Sequence, residues 1–138
     1  MTGDTGDMGR LRGPAKVNSH KDLIVWQKAM DLVDTVYDIA EKFPVRENYG
    51  LFTQLTRAIV SVPANIAEGR ARSTAKDFAN FLTIARSSLM EAETLMMVAV
   101  RRKYVSETAA SQAFSQIVEV SKMLSGLRSR ITSTRRMG

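Results

Sequence analysis

Hydrophobic residues recur along the chain in four stripes separated by turn signals. In the third stripe Phe78, Leu82, Ala85, Leu89, Ala92, Met96 and Ala99 step by four and three. In the fourth, Ala110, Ala113, Ile117, Val120, Leu124, Leu127 and Ile131 step by three and four. Alternating spacings of three and four put every such side chain on one helical seam, the pattern of shallow-angle helix packing. The second stripe, Leu51, Leu55, Ala58, Ile59, Val62 and Ile66, keeps its phase across Pro63. It predicts a helix from about Glu47 to Glu68, kinked where proline removes the bond to the Ile59 carbonyl. Gly69 then falls where a helix end favours a left-handed residue.

The first stripe is broader. Val25, Trp26, Ala29, Met30, Leu32, Val33, Val36, Tyr37, Ile39, Ala40 and Phe43 cover an arc of roughly 200°, where a lone surface helix needs about 100°. The excess predicts a second buried contact, most simply with another subunit. This helix is expected to start near Asp22, capped by Ser19 or Asp22, and to end before Pro44. Thr74 followed by Asp77 resembles a capping box for the third helix, and Ser106 is the expected cap of the fourth. Short loops make successive helices antiparallel neighbours. The expected fold is all-α: an antiparallel up-down-up-down four-helix bundle over residues 20–131. A glycine-rich flexible tail (residues 1–19) is expected before it and a basic tail (residues 132–138) after it.

At 138 residues, 44% of them hydrophobic and 25% charged, the chain has the makings of one folded domain. No apolar run approaches the roughly 18 residues of a membrane span. Met1 to Pro14 lacks the apolar region of a signal peptide, so a cytoplasmic location is the default expectation. Cysteine is absent, which removes disulfides, thiolate metal sites and cysteine nucleophiles. The single histidine, His20, sits at the edge of the N-terminal tail and reads as a solvated or capping residue. No inward-facing Glu-x-x-His pair occurs, and Glu91 and Glu93 lie about 160° apart on a helix, so no metal or carboxylate dyad is expected. No glycine loop with its lysine cradles a phosphate. The expectation is a protein that is not an enzyme and uses no cofactor, metal or small-molecule substrate. Met30, Met90, Met96, Met97 and Met123 all fall within helices, mostly near seams, and are expected to fill the core.

The stretch Gln54 to Gly69 reads Q-L-T-R-A-I-V-S-V-P-A-N-I-A-E-G. It resembles the hallmark of the four-helix bundle family encoded in intervening sequences of bacterial 23S ribosomal RNA genes. That hallmark is Q-x-x-R-A, then S-x-P-x-N-I-A-E-G, then an arginine, a region where this chain has Arg70 and Arg72. The likeness runs from about Asp22 to Ile131, taking in Leu23 to Ala29, Phe43-Pro44, Tyr49 to Leu51, Phe78, Phe81-Leu82, Ala85, Ser88 and Glu91 to Thr94. Ser87-Ser88 stands where many relatives have Gly-Ser. The resemblance implies a bundle that assembles as a homopentamer with a central channel. A related branch, the accessory variability determinant proteins of diversity-generating retroelements, is basic and binds nucleic acid and a reverse transcriptase. No catalytic residues come with the family.

By its own spacing, Gln54, Arg57, Ser61 and Glu68 form a polar stripe beside the second seam, with Asn65 at its boundary. An antiparallel hairpin brings Arg57 level with Ser88 and Glu91, which predicts an Arg57–Glu91 contact within or between subunits. The stripe is expected to hold structure and register rather than a ligand. Charge is less even. Up-down topology gathers Lys16, Lys21, Arg70, Arg72, Lys76, Arg128, Arg130, Arg135 and Arg136 at one pole against Asp22, Glu68 and Asp77. That excess equals the +6 net charge of the chain. Cations at helix ends complement dipoles and keep a protein soluble, but Lys76 opens a helix and Arg135-Arg136 are unopposed. Two readings stand: an oligomer that binds RNA or DNA phosphates through this pole, or a scaffold whose partner is another protein.

Overall fold

The structure, a computed structural model, describes residues 19–137. Residues 1–18, and with them the expected N-terminal tail and Lys16, lie outside the described residues. Four α-helices follow a short 3-10 turn at His20–Asp22: α1 (Ile24–Ala40), α2 (Leu51–Arg70), α3 (Ala75–Arg101) and α4 (Glu107–Met137). A second 3-10 turn, Val45–Glu47, precedes α2. The helices pack α1 on α2, α2 on α3, α3 on α4 and α4 back on α1, with α2 and α3 sharing the largest contact. Among the described residues there is no strand, and no helix is long and apolar enough to cross a membrane.

The seams form the core. Every α3 seam residue from Phe78 to Ala99 is buried, as are Leu51, Leu55, Ala58, Ile59, Val62 and Ile66 of α2 and Ala110 to Leu124 of the α4 seam. Leu127 and Ile131 pack against this core half-buried. On α1, Val25, Ala29, Leu32, Val36 and Ala40 are buried, while Trp26, Val33 and Ile39 lean on the core from its margin. Part of the wide arc is thus absorbed within the chain. Met96 is a core residue, but Met30 and Met97 are exposed, contrary to the expectation that they fill it.

Several boundaries differ from the sequence reading, for local reasons. Ser19 accepts a hydrogen bond from the Lys21 amide (3.1 Å) and caps the 3-10 turn, not α1. Helix α1 starts two residues later, after Leu23, with no side-chain cap, and stops at Ala40. Helix α2 starts at Leu51, whose amide donates to the Glu47 side chain at 3.0 Å. It is one α-helix through Pro63. Thr74 and Ser106 cap as expected, accepting from the amides of Asp77 (3.1 Å) and Ala109 (3.0 Å). Helix α4 runs on to Met137, so the expected tail from residue 132 is helical backbone.

Gly69 is the clearest correction. It lies inside α2, and among the described residues no glycine has positive φ. Its role is closeness: a Cβ there would sit 2.6 Å from Phe81 Cβ and 3.0 Å from Phe78 Cδ1. The left-handed helix end belongs instead to Lys103 (φ 65°), where Tyr104 N donates to Ala99 O and Lys103 N to Val100 O. That is the double-bonded Schellman ending, here without its usual glycine.

Beyond that ending, Tyr104 donates to Glu47 at 2.8 Å and packs against Phe43 and under Arg46. The Leu51 amide, then the Tyr104 hydroxyl, hold the Glu47 carboxyl below the usual carboxylate range; partial burial opposes them and Arg46 and Arg102 assist.

Two outcomes test this packing. In an open helix Gly→Ala stabilises by about 1 kcal/mol; here Gly69→Ala should instead destabilise by roughly 1–3 kcal/mol, because a rigid Cβ meets it. Urea unfolding reads the sign, and a stabilised variant removes the close-approach account. For Glu47, a lowered folded pKa means its contribution is fully present above the ordinary carboxylate value and is lost as pH falls through the folded one. Thermal midpoints of wild type and Glu47→Gln should therefore differ at neutral pH and converge in acid. A gap that does not change with pH would show that the carboxylate's bonds contribute nothing.

Candidate functional site

The arginines expected at one pole come from separate segments, and the fold brings three of them to one concavity. Arg70 closes α2, Arg72 sits in the turn to α3, and Arg130 arrives from α4. They line a depression of about 430 Å³ whose other walls include Ser73, Thr74 and Phe78. Gly69 makes this possible: with no side chain in the way, Phe78 and Phe81 lie against the end of α2. The guanidinium of Arg70 then stands 5.7 Å from the Phe78 ring centroid and that of Arg72 4.8 Å from that of Phe81. A ring face beneath a guanidinium attracts the cation and limits where it can lie. Arg72 also pairs with Glu68 in an exposed ion pair.

Arg130 lines a second depression as well, between Leu23 to Val25 at the start of α1 and Lys122 to Leu127 of α4. The start of α1, the end of α2, the start of α3 and the end of α4 therefore meet around it. Arg128 faces a neighbouring groove between α3 and α4, where its Nε donates to Thr83 Oγ1 at 2.8 Å. In the same groove Arg86 Nε donates to Ser121 Oγ at 3.2 Å. Arg86 escaped the sequence reading because it sits mid-helix on α3; only the α3–α4 register, set by the two alanine-rich seams, carries it beside Arg128. Lys76 is exposed at the start of α3 and lines none of these hollows. Arg135 and Arg136 lie in the last turns of α4, but their side chains fall outside the described residues.

The polar stripe divides. Gln54 and Arg57 are exposed. Half-buried Ser61 shares a hydrogen bond with Ser88 at 2.8 Å, and Asn65 Nδ2 donates to Ser61 O at 2.8 Å and to Ser61 Oγ at 2.9 Å. Glu68 turns to Arg72. Among the described residues no ion pair joins Arg57 to Glu91, correcting that expectation within the chain. The neighbouring Ala58 and Ala92 occupy the buried seam positions, which turns Arg57 and Glu91 outward. His20 is not simply solvated: it packs edge-on against Trp26 at 5.0 Å.

A family model described as 23S rRNA-intervening sequence protein matches residues 21–126. Among solved structures, the chain is similar to a crystal structure from Bacteroides thetaiotaomicron, described as a protein of unknown function from the S23 ribosomal protein family. The TM-score is 0.71 and identity 21%, over 76% of this chain and 98% of that one. At that identity the likeness shows the fold alone. No curated protein matches.

Proposed function

The chain belongs to the 23S rRNA-intervening sequence protein family, and from that premise we propose that it is a non-enzymatic, oligomeric, cytoplasmic bundle that binds RNA or DNA phosphates through its basic pole. The observation that carries the reading is the convergence of Arg70, Arg72 and Arg130 on one concavity, with Arg128 and Arg86 in the adjoining groove. Cations drawn from three helices to one place exceed what helix dipoles alone call for. Contact with phosphates releases counterions and is sequence-independent.

The proposal includes an up-down-up-down antiparallel arrangement with α2 bent at Pro63. Three pairs support the antiparallel sense, since numbers rise on one helix as they fall on the other: Gly69 with Phe81, Ser61 with Ser88, and Glu47 with Tyr104. It also includes a homopentamer, in which the pole repeats around a ring and weak phosphate contacts gain avidity. Val60, Ile84 and Val98 are exposed apolar residues on α2 and α3, and outward-facing Arg57 and Glu91 lie in the same helices, available for pairing between subunits. The same apolar residues favour the second reading, a scaffold that docks another protein.

Sedimentation at micromolar concentration should give a pentamer; a monomer would remove the assembly. For the ligand, Arg70, Arg72, Arg128 and Arg130 replaced together by glutamine should weaken binding to generic RNA. Each lost phosphate contact should flatten the salt slope by roughly 0.7–0.9. The four-lysine variant should keep most of the affinity if the field is diffuse, and lose it if bidentate arginine geometry matters. Wild type that fails to bind at low salt, or glutamine variants that bind as wild type does, would hand the function to the scaffold reading.

A further inference from the structure

We propose that the concavity walled by Arg70, Arg72 and Arg130 is a seat for one phosphate monoester, taking the terminal phosphate of a nucleic-acid strand or that of a free phosphorylated small molecule. The inference rests on the basic-pole reading for its setting and goes beyond it in the ligand: a dianion lodged in a hollow, rather than a backbone tracked along a surface.

Three guanidinium-bearing side chains, brought by three separate segments to one hollow, mark the place; the first turn of α3 only adds its dipole. Among the described residues that line it there is no carboxylate. Its volume, about 430 Å³, lies within the roughly 300–1,000 Å³ of small-ligand sites. That is room for a phosphate with the sugar behind it, against Phe78 and Ile131. Arg70 and Arg72 lie over the Phe78 and Phe81 rings, and side chains held this way lose less freedom when they bind.

At Arg72 the Glu68 carboxylate competes only weakly. The Glu68–Arg72 pair is exposed, and such pairs contribute about 0–1 kcal/mol. Arg130 is exposed, with Nη1 lying near Gly126, so it can swing toward an anion without breaking the core. Ser73, also exposed, adds a hydroxyl donor. A monoester presents three terminal oxygens and a charge of about −1.5 to −2 at neutral pH, whereas a backbone diester presents two oxygens and one charge. Three arginines match the first better than the second.

The test uses the full chain and two oligonucleotides of one sequence, with a 5′-phosphate or a 5′-hydroxyl, beside inorganic phosphate as an NMR titrant. The phosphorylated strand should bind about tenfold more tightly, the scale of one charge-assisted bond. Inorganic phosphate should saturably shift the Ser73 to Ala75 amides. Arg130→Gln, on an exposed side chain, should erase the difference between the strands, and Arg70→Gln should do the same if it folds. Lys76→Gln, outside the hollow, should leave the difference intact.

Equal affinity for both strands, with no saturable shift by phosphate, overturns the seat and leaves the basic-pole reading standing. Saturable phosphate binding abolished by Arg130→Gln, with neither strand bound, supports the seat with a free phosphorylated ligand and removes the nucleic-acid reading. Shifts spread over the whole surface without saturation overturn the seat.

Discussion

The absence of one side chain, at Gly69, governs how the end of α2 meets α3. With any Cβ at that position, Phe81 and Phe78 would have to withdraw, and the α2–α3 contact there would open. Because they need not withdraw, Arg70 and Arg72 find aromatic faces to lie on, one residue before and after the turn begins. The basic hollow is thus a consequence of helix packing. The residue that builds it carries no charge and touches no ligand.

The two ends of the bundle differ in physical character. At one, Glu47 ties the start of α2 to Tyr104 just beyond α3, and Phe43 and Arg46 close over the ring. Glu47, Tyr104 and Arg46 thus hold one another within the chain. At the other, Arg70, Arg72 and Arg130 surround a hollow with no acid among the described residues that line it. Along the interior between them, the small residues Ala85, Ala92 and Ala99 alternate with Leu82, Leu89 and Met96 on α3. Close packing of this kind fixes the helix register, and so which arginine arrives beside which.

The seams were legible in the sequence because burial imposes a helical period that side-chain type alone reveals: all seven α3 seam positions are core. The caps Thr74 and Ser106 were legible because capping chemistry is local. What was not legible depends on neighbours. Gly69 carries the same letter whether it turns a chain or admits a phenylalanine, and only the α3 surface opposite decides. Arg57 and Glu91 are level along the hairpin, but a step of one residue turns a side chain by about 100°, and the alanines beside them took the inward positions. For the candidate site, Arg70, Arg72 and Arg130 could be named from topology. That they share a hollow, and that Arg86 joins Arg128, required the α3–α4 register. The start of α1 moved because a 3-10 turn, with its own serine cap, took up the residues before it.

The distribution of aromatic residues bears on what the basic pole can distinguish. Sequence-tolerant single-strand binding usually pairs a cationic groove with exposed rings on which bases stack. Here Phe78 is buried and Phe81 half-buried, each with an arginine over its face. Tyr49, 99% exposed, precedes α2 at the opposite end. The two phenylalanine rings that line the ends of α2 and α3 thus orient cations and are not laid open to bases. A surface built this way has the means to recognise phosphate charge and geometry but little with which to read bases. On the proposed function, selectivity would come from where phosphates are placed, by a strand's end, its fold, or the spacing of repeated poles around an assembly.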